Sequence, residues 1–218
     1  MLLNHNEVNI LSTAKSNNIS ELSDICGMCS FSDINKTFLK QEIKKENNNL
    51  DGSGKLKVKF SNNFTLNTFL AIKKSFHTIF KIVYPEEFFD CVYLKKYHSI
   101  IGLEAETREL LCFSHIELDK SKKTAKILTL GVVKEYQNSG IGTQLMKKVK
   151  EELFVLGTKS ISLIVQDTNN IAKKLYTNFG FKEDKVLENY YSLDDPKENK
   201  ALQMTLIFES KKTMAIGR

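Results

Sequence analysis

The sequence predicts an α/β (α+β) chain of about seven strands and four main helices, and two stretches carry that prediction. In the first, an apolar run from Ile127 to Val133 crosses a short polar loop, Lys134 to Ser139. It enters a helical pattern opened by Gly140-Ile141-Gly142. β-branched and aliphatic residues suit a buried strand, and Ile141, Leu145, Val149 and Leu153 recur at helix spacing. In the second, Ser160 to Val165 reads as a strand and Asn169 to Asn178 as a helix stopped by Gly180. There Ile171, Ala172, Leu175 and Phe179 share a face, Tyr176 lies beside it, and Gly180 supplies the C-terminal cap.

The remaining elements follow in order. Leu56, Val58 and Phe60 alternate as in a first strand. Leu66 to Phe80 forms an amphipathic helix with Leu66, Phe69, Leu70, Phe76 and Phe80 as its apolar stripe. Pro85 opens a second helix, with Glu86 and Glu87 in its first turn, where the dipole favours acids. Ser99 to Glu104 and Glu109 to Leu118 pair as a hairpin through Ala105-Glu106-Thr107-Arg108. Asp119 to Lys123 turns the chain into the Ile127 strand. Phe181 to Val186 and Ala201 to Phe208 complete the set, giving the order β-α-α-β-β-β-α-β-α-β-β with no internal repeat.

Residues 1–54 read as a flexible, low-complexity N-terminal extension, rich in Asn and Ser and ending in NNNLDGSG. Ser30 to Lys45 has the makings of a transient helix. The folded domain covers 55–209, and 210–218 form a C-terminal tail. The extension carries five lysines against seven acids, so with a whole-chain charge of +6 the remainder holds +8. A basic domain of this kind points to an anionic partner, a nucleotide cofactor or a nucleic acid. Lys147, Lys148 and Lys150, just past the glycine loop, fit a solvated helix face.

The composition excludes several classes. No apolar run reaches the roughly 18 residues that span a bilayer. The start, MLLNHNEVNI, lacks the basic and apolar regions of a signal peptide. Four unevenly placed cysteines give no disulfide framework, which favours a reducing compartment. Cys26-Gly-Met-Cys29 is a lone pair without the second pair a zinc site needs, so no metal site is expected.

The strand, glycine loop and helix together have a chemical meaning. The first turn of a helix leaves backbone N–H groups unpaired and adds partial positive charge. Glycines let that backbone close on a bulky anion, forming a phosphate cradle. No Gly-Lys-Ser/Thr closes it, so it is not a Walker loop. The third glycine of the dinucleotide fingerprint is also missing. The pattern Gln137-x-x-Gly140-x-Gly142 resembles the acetyl-coenzyme A pyrophosphate loop of the GNAT acetyltransferase superfamily. The ending LYTNFGF resembles that family's signature after its fifth strand. The element order matches the GNAT order, which implies a mixed central sheet.

The resemblance extends to one branch, the N-terminal protein acetyltransferases of the NatE and NatF catalytic type. ILTLGVVKEYQNSGIG is similar to that branch's fourth strand and loop. FKIVYPEEFF resembles its substrate loop, and Asn189-Tyr190-Tyr191 its tyrosine-bearing hairpin. The resemblance implies an acetyl-CoA site made of Leu130, Gly131, Val132, Val133, Gln137, Asn138, Ser139, Gly140, Ile141, Gly142 and Thr143. Asn169 and Tyr176 would meet the pantetheine arm. It implies an oxyanion-type backbone donor at Leu130, and Tyr176 protonating the leaving thiolate. It also implies a peptide slot of Phe80, Ile82, Tyr84, Tyr190 and Tyr191, suited to an N-terminal Met followed by a varied residue.

The general base departs from the branch pattern. Counted from the shared motifs, the family tyrosine and histidine fall on Lys126 and Ile164, and neither is a base near neutral pH in its ordinary state. The substitute candidates are His115 and Glu117, on one face of the third strand, and Tyr84 and Tyr191 in the substrate elements. Lys81 stands where the substrate loop has proline.

Three activities are therefore open. The leading one acetylates peptide or protein N-terminal α-amines from acetyl-CoA, within a larger acetyltransferase complex or at the ribosome. A second acetylates lysine or small amines. A third is a non-catalytic CoA-binding scaffold. The expected location is cytoplasmic, with no membrane contact and no direct nucleic-acid role, because Glu209 to Arg218 is too short and polar for an amphipathic anchor.

Overall fold

A computed structural model describes residues 56–80, 82–193 and 195–208. The expected extension, the Ser30–Lys45 helix, the Cys26/Cys29 pair, Lys81 and the C-terminal tail lie outside the described residues. The elements are β1 (Val58–Ser61), α1 (Leu66–Ile79), α2 (Glu86–Tyr93), β2 (His98–Glu104), β3 (Leu110–Asp119) and β4 (Thr124–Val132). They continue with α3 (Ile141–Val155), β5 (Ser160–Gln166), α4 (Asn170–Asn178), β6 (Lys182–Leu187) and β7 (Ala201–Ile207). Short 3₁₀ turns fall at Lys134–Tyr136 and Pro196–Glu198.

The strands form one mixed seven-stranded sheet in the order β1-β2-β3-β4-β5-β7-β6. Its hairpin neighbours pair antiparallel, and β4 and β5, joined by the α3 crossover, pair parallel. Consecutive buried residues run through β2 and β3, so both faces of the sheet centre are covered. On one face Phe69, Ile72 and Phe76 of α1 and Phe88, Phe89 and Val92 of α2 pack on Ile101, Leu103 and Phe113. The other side takes α3, which lies against β2, β3 and β4 through buried Ile141, Leu145, Met146, Val149 and Leu153.

Local chemistry sets the helix ends. Thr65 caps α1, its hydroxyl accepting from the Thr68 N–H at 3.2 Å. Pro85 stands at the N-cap of α2 rather than inside its first turn, in extended backbone at ψ 156°. Two expected apolar faces differ from the observed ones. In α1 Ile72 is fully buried while Leu66 is 53% exposed. In α4 Tyr176 is the buried residue and Ile171 is 77% exposed. Phe69 and Phe76 of the expected α1 stripe are buried as expected, so docking shifts that face only at its edge, whereas in α4 it selects Tyr176 beside the expected face.

Candidate active site

The site begins where two strands part. β4 pairs with β5 only from Thr124 opposite Ser160 to Ile127 opposite Leu163. Both strands continue, β4 along β3 to Val132 and β5 along β7 to Gln166. The separation coincides with a bulge in the β3–β4 ladder. His115 stands opposite Thr129, Ile116 opposite Ile127, and Leu128 is the extra residue. A bulge bends its strand and raises its twist, which turns β4 away from β5. Ser114 Oγ donates to the Thr129 carbonyl at 2.8 Å and pins the bent strand to β3.

Beyond the bulge, alternation decides where the amides point. The Val133 N–H donates to the Leu111 carbonyl at 2.9 Å, so residues of that parity address β3. Leu130 and Val132 have the other parity, and their N–H groups face the opening between β4 and β5. Gly131 therefore has a packing role: its amide turns to β3, and a Cβ there would lie 2.9 Å from the Phe113 ring.

The glycine loop closes the end of the opening. Gln137 Nε2 donates to the Val132 carbonyl at 3.1 Å, and the Ser139 hydroxyl donates to the Tyr136 carbonyl. Asn138 and Gly140 adopt left-handed backbone at φ 61° and 82°. Gly140 is the N-cap of α3 and supplies no side chain to it. The first internal bond of α3 runs from Gln144 N to Gly140 O at 3.1 Å, which leaves the Ile141, Gly142 and Thr143 amides ahead of it. A Cβ on Gly140 meets nothing within 4 Å, and one on Gly142 makes only ordinary contacts, 3.6 Å to Val132 and 3.9 Å to Leu175. Packing does not demand glycine at 142. Open space before an uncapped helix start fits a pyrophosphate.

The second strand–helix unit supplies the polar tip. Asn169 is the N-cap of α4, its Oδ1 accepting from the Ala172 N–H at 3.1 Å. Tyr176 packs on Phe181 at 5.9 Å, and burial, with a smaller contribution from the nearby Tyr191, pushes its phenol up to about 12. The phenol therefore stays protonated across the physiological range and is a donor. Tyr191 stacks edge-on against Tyr190 at 4.9 Å, and its N–H donates to the Asn199 carbonyl at 3.0 Å, closing the loop.

On the other flank Phe80 and Tyr84 join the aromatic cluster of the core. Tyr84 lies 4.9 Å from both Phe76 and Phe88, and Phe80 lies 5.0 Å from Phe76 and 5.6 Å from Tyr84. Ile82 is half-buried beside them. The slot residues thus fall in two groups, each held by its own ring contacts, with Tyr191 linked electrostatically to Tyr176.

His115 occupies a different kind of place. It is fully enclosed, with Phe113, Phe88 and Phe76 rings at 5.6, 5.9 and 6.3 Å. Nδ1 lies 3.0 Å from Ser99 Oγ, and buried Nε2 has no partner among the described residues. Burial pushes the imidazole down to about 3. Such a ring stays neutral, and taking a proton would put an uncompensated charge among aromatic rings. This setting withholds His115 from the base role expected of it. Glu117 is half-buried and stands opposite Lys126 on β4, on the paired side of the splay. Ile164 stands opposite Gln203 on β7.

Two features escaped sequence reasoning. The bulge at Leu128 has no Gly or Pro to mark it. The Ser99–His115 bond joins residues 16 apart, and a serine facing a histidine across neighbouring strands was its only signal. Among the described residues no group of three His, Cys, Asp or Glu could hold a metal, and no helix is long and apolar enough to cross a membrane.

Comparison with known proteins agrees with this geometry. The acetyltransferase (GNAT) family matches residues 69–181. N-alpha-acetyltransferase 60 of Danio rerio is 42% identical over 74 residues, covering 33% of this chain and 31% of that protein. N-alpha-acetyltransferase 50 of Danio rerio is 33% identical over 92 residues, covering 42% of this chain and 55% of that protein. The chain thus spans only about a third to a half of these curated relatives. The crystal structure of the ribosomal-protein-S18-alanine N-acetyltransferase from Escherichia coli superposes with a TM-score of 0.63 at 21% identity, over 72% of this chain and 99% of that one. Members of the matched family use acetyl-CoA, whose pyrophosphate suits the open, uncapped start of α3. The chain belongs to the GNAT family of acetyltransferases.

Proposed function

We propose that this protein transfers an acetyl group from acetyl-CoA to the α-amine of a peptide or protein N-terminus. The observation that carries the reading is the splay of β4 from β5, which turns the Leu130 and Val132 amides toward one opening and ends on the α3 cradle. The matched N-alpha-acetyltransferases support the class of amine.

Acetyl-CoA would supply the activated acetyl group, and the chain does the rest. Leu130, Val132, Val133 and the Gln137–Thr143 loop hold the cofactor, largely through backbone, with Asn169 and Tyr176 along the pantetheine arm. The Leu130 amide is the donor to developing charge on the carbonyl oxygen, where a fixed donor in a dry site is worth most. Tyr176 would hold its phenolic proton at the departing sulfur, and the proton that the amine sheds as its N–C bond forms would balance the one the thiolate takes. Phe80, Ile82, Tyr84, Tyr190 and Tyr191 orient the peptide, with an N-terminal Met as the fitting first residue. The amine reaches this slot partly neutral, since an α-amino group has a pKa of about 7.7–8.0. Proximity then contributes more than a positioned base typically would. A cytoplasmic setting, alone or in a larger complex at the ribosome, would present such N-termini.

The test is acetyl transfer resolved by position. The full chain is incubated with acetyl-CoA and a Met-initiated peptide carrying one internal lysine, and the product is sequenced by mass spectrometry. Acetyl on the α-amine is expected. Acetyl on lysine alone, or coenzyme A binding without turnover of any amine, would overturn the reading.

A further inference from the structure

The sheet has a basic concavity at the end away from the cofactor cradle. A cavity of about 320 Å³ opens there between the end of α2, the start of β2 and the β3–β4 turn. Lys95, Lys96 and Lys120 reach it, with His98 on its floor and Phe64 and Tyr97 as apolar wall. No carboxylate lines it.

Two acids stand close by, and one of them, Glu152, is bonded to residues that line the cavity. Glu152 of α3 accepts from Asn62, lies 2.7 Å from His98 Nε2 and forms an ion pair with Lys148 at 3.3 Å. Asp119 accepts from the Ser121 hydroxyl at 2.6 Å and the Lys122 N–H at 3.0 Å, and pairs with the Lys122 ammonium at 3.2 Å. These bonds hold its carboxyl down at about 2. The Lys95 ammonium donates to the neutral Asn63 Oδ1 at 3.1 Å, so its charge is not offset there. Among the described residues Lys96 and Lys120 have no ion-pair partner.

The end of a helix attracts lysines through its dipole, which accounts for Lys95 and Lys96 at the end of α2. It does not account for Lys120, which arrives from a separate turn. Lys95, at φ 55°, is the left-handed residue of a Schellman turn, its N–H donating to the Val92 carbonyl at 3.1 Å and that of Lys96 to the Cys91 carbonyl at 2.9 Å. Three cations line one concavity, and an anion placed there is attracted by all of them. A carboxylate brings one charge. A phosphate chain brings several in a small volume, and lysine binds it as a point charge.

We propose that this cavity binds a polyphosphate-bearing small molecule, at a site separate from the acetyl-CoA cradle. Nucleoside triphosphates and inorganic polyphosphate share that chemistry. The Phe64 and Tyr97 wall favours the former.

Titration calorimetry on the full chain tests this, with coenzyme A present throughout at saturating concentration. Tripolyphosphate and ATP are added in separate arms. At least one is expected to bind once per chain, more weakly as salt rises. Tighter binding of ATP would assign the source to nucleotides, and equal binding to the phosphate chain alone. Lys96→Gln with Lys120→Gln should weaken either ligand by about tenfold or more, since bonds to charged groups are worth at least that factor. The same pair should leave coenzyme A affinity unchanged, and Lys122→Gln, whose ammonium is already paired, should change neither. Absence of binding under saturating coenzyme A, or binding indifferent to the double substitution, would overturn the proposal.

Discussion

The half of the proposed site that would face the acetyl donor and the half that would face the amine are built from different materials. The donor half is backbone: the Leu130 and Val132 amides, the left-handed Gly140 and the first turn of α3. Its side chains mostly pack or tie down loops, as Ile141 and Gln137 do. The amine half is side chain: aromatic rings from the α1–α2 and β6–β7 connections, and a histidine sealed behind them. A backbone site tolerates sequence change so long as strand, bulge and helix start persist. A side-chain site changes character with single residues. That difference fits a donor half that resembles the family pattern beside expected base positions that hold Lys126 and Ile164.

The contrast can be broken most strongly at the cradle. Gly142→Val keeps its β-carbon in ordinary contact range of the protein but fills the approach to the α3 amides. Coenzyme A at about a hundred times its Kd stabilises a native protein by about 2.7 kcal/mol. The variant should retain its own Tm and lose nearly all of that increment in a thermal melt. An unchanged increment would remove the loop from the cofactor site.

Tyr176→Phe comes next. Burial already disfavours the phenolate, so the substitution deletes one hydroxyl and little else. A drop in kcat of about a hundredfold, with coenzyme A affinity nearly constant, is expected from losing a positioned acid. A matching rise in KM without a change in kcat would make the residue a packing element.

The enclosed histidine gives a stability prediction with a definite sign. Its pKa is about 3 in the fold against an ordinary 6.5, so between those values the unfolded chain binds the proton and the native chain does not. Stability is fully present above pH 6.5 and falls as the pH drops toward 3, by up to about 1.4 kcal/mol per unit from this group. Denaturant melts at stepped pH should show that slope, and His115→Phe should flatten it. A slope insensitive to the substitution would assign acid sensitivity to other groups.

Tyr84→Phe should have the smallest effect. The ring keeps its contacts with Phe76 and Phe88 and loses only its hydroxyl. A rise of a few-fold in KM for peptide, with kcat and pH profile held, fits a positioning role.

Legibility in the sequence follows the same division. Gly140 and Gly142 announce the cradle because only a backbone demand places glycines one residue apart at a helix start. Leu145, Val149 and Leu153 show the packed face of α3 because a long helix averages over many contacts. Nine residues of α4 are too few for that, and a single buried tyrosine outweighs Ile171. The splay was implied only by the family resemblance, and its cause was invisible because it arises from a register change at Leu128, where an ordinary leucine occupies the bulge. The state of His115 depends on rings contributed by α1, α2 and β3 together, so no local pattern encodes it.

The most direct measurement is the pH dependence of kcat/KM on two Met-initiated peptides whose α-amine pKa values differ by about one unit. If the fold positions the amine and no buried base takes its proton, the inflection should fall near each substrate's own amine pKa, about 8, and move with it. An inflection near pH 6.5 that is common to both peptides and disappears in His115→Ala would contradict the account, since it would make the enclosed imidazole the base.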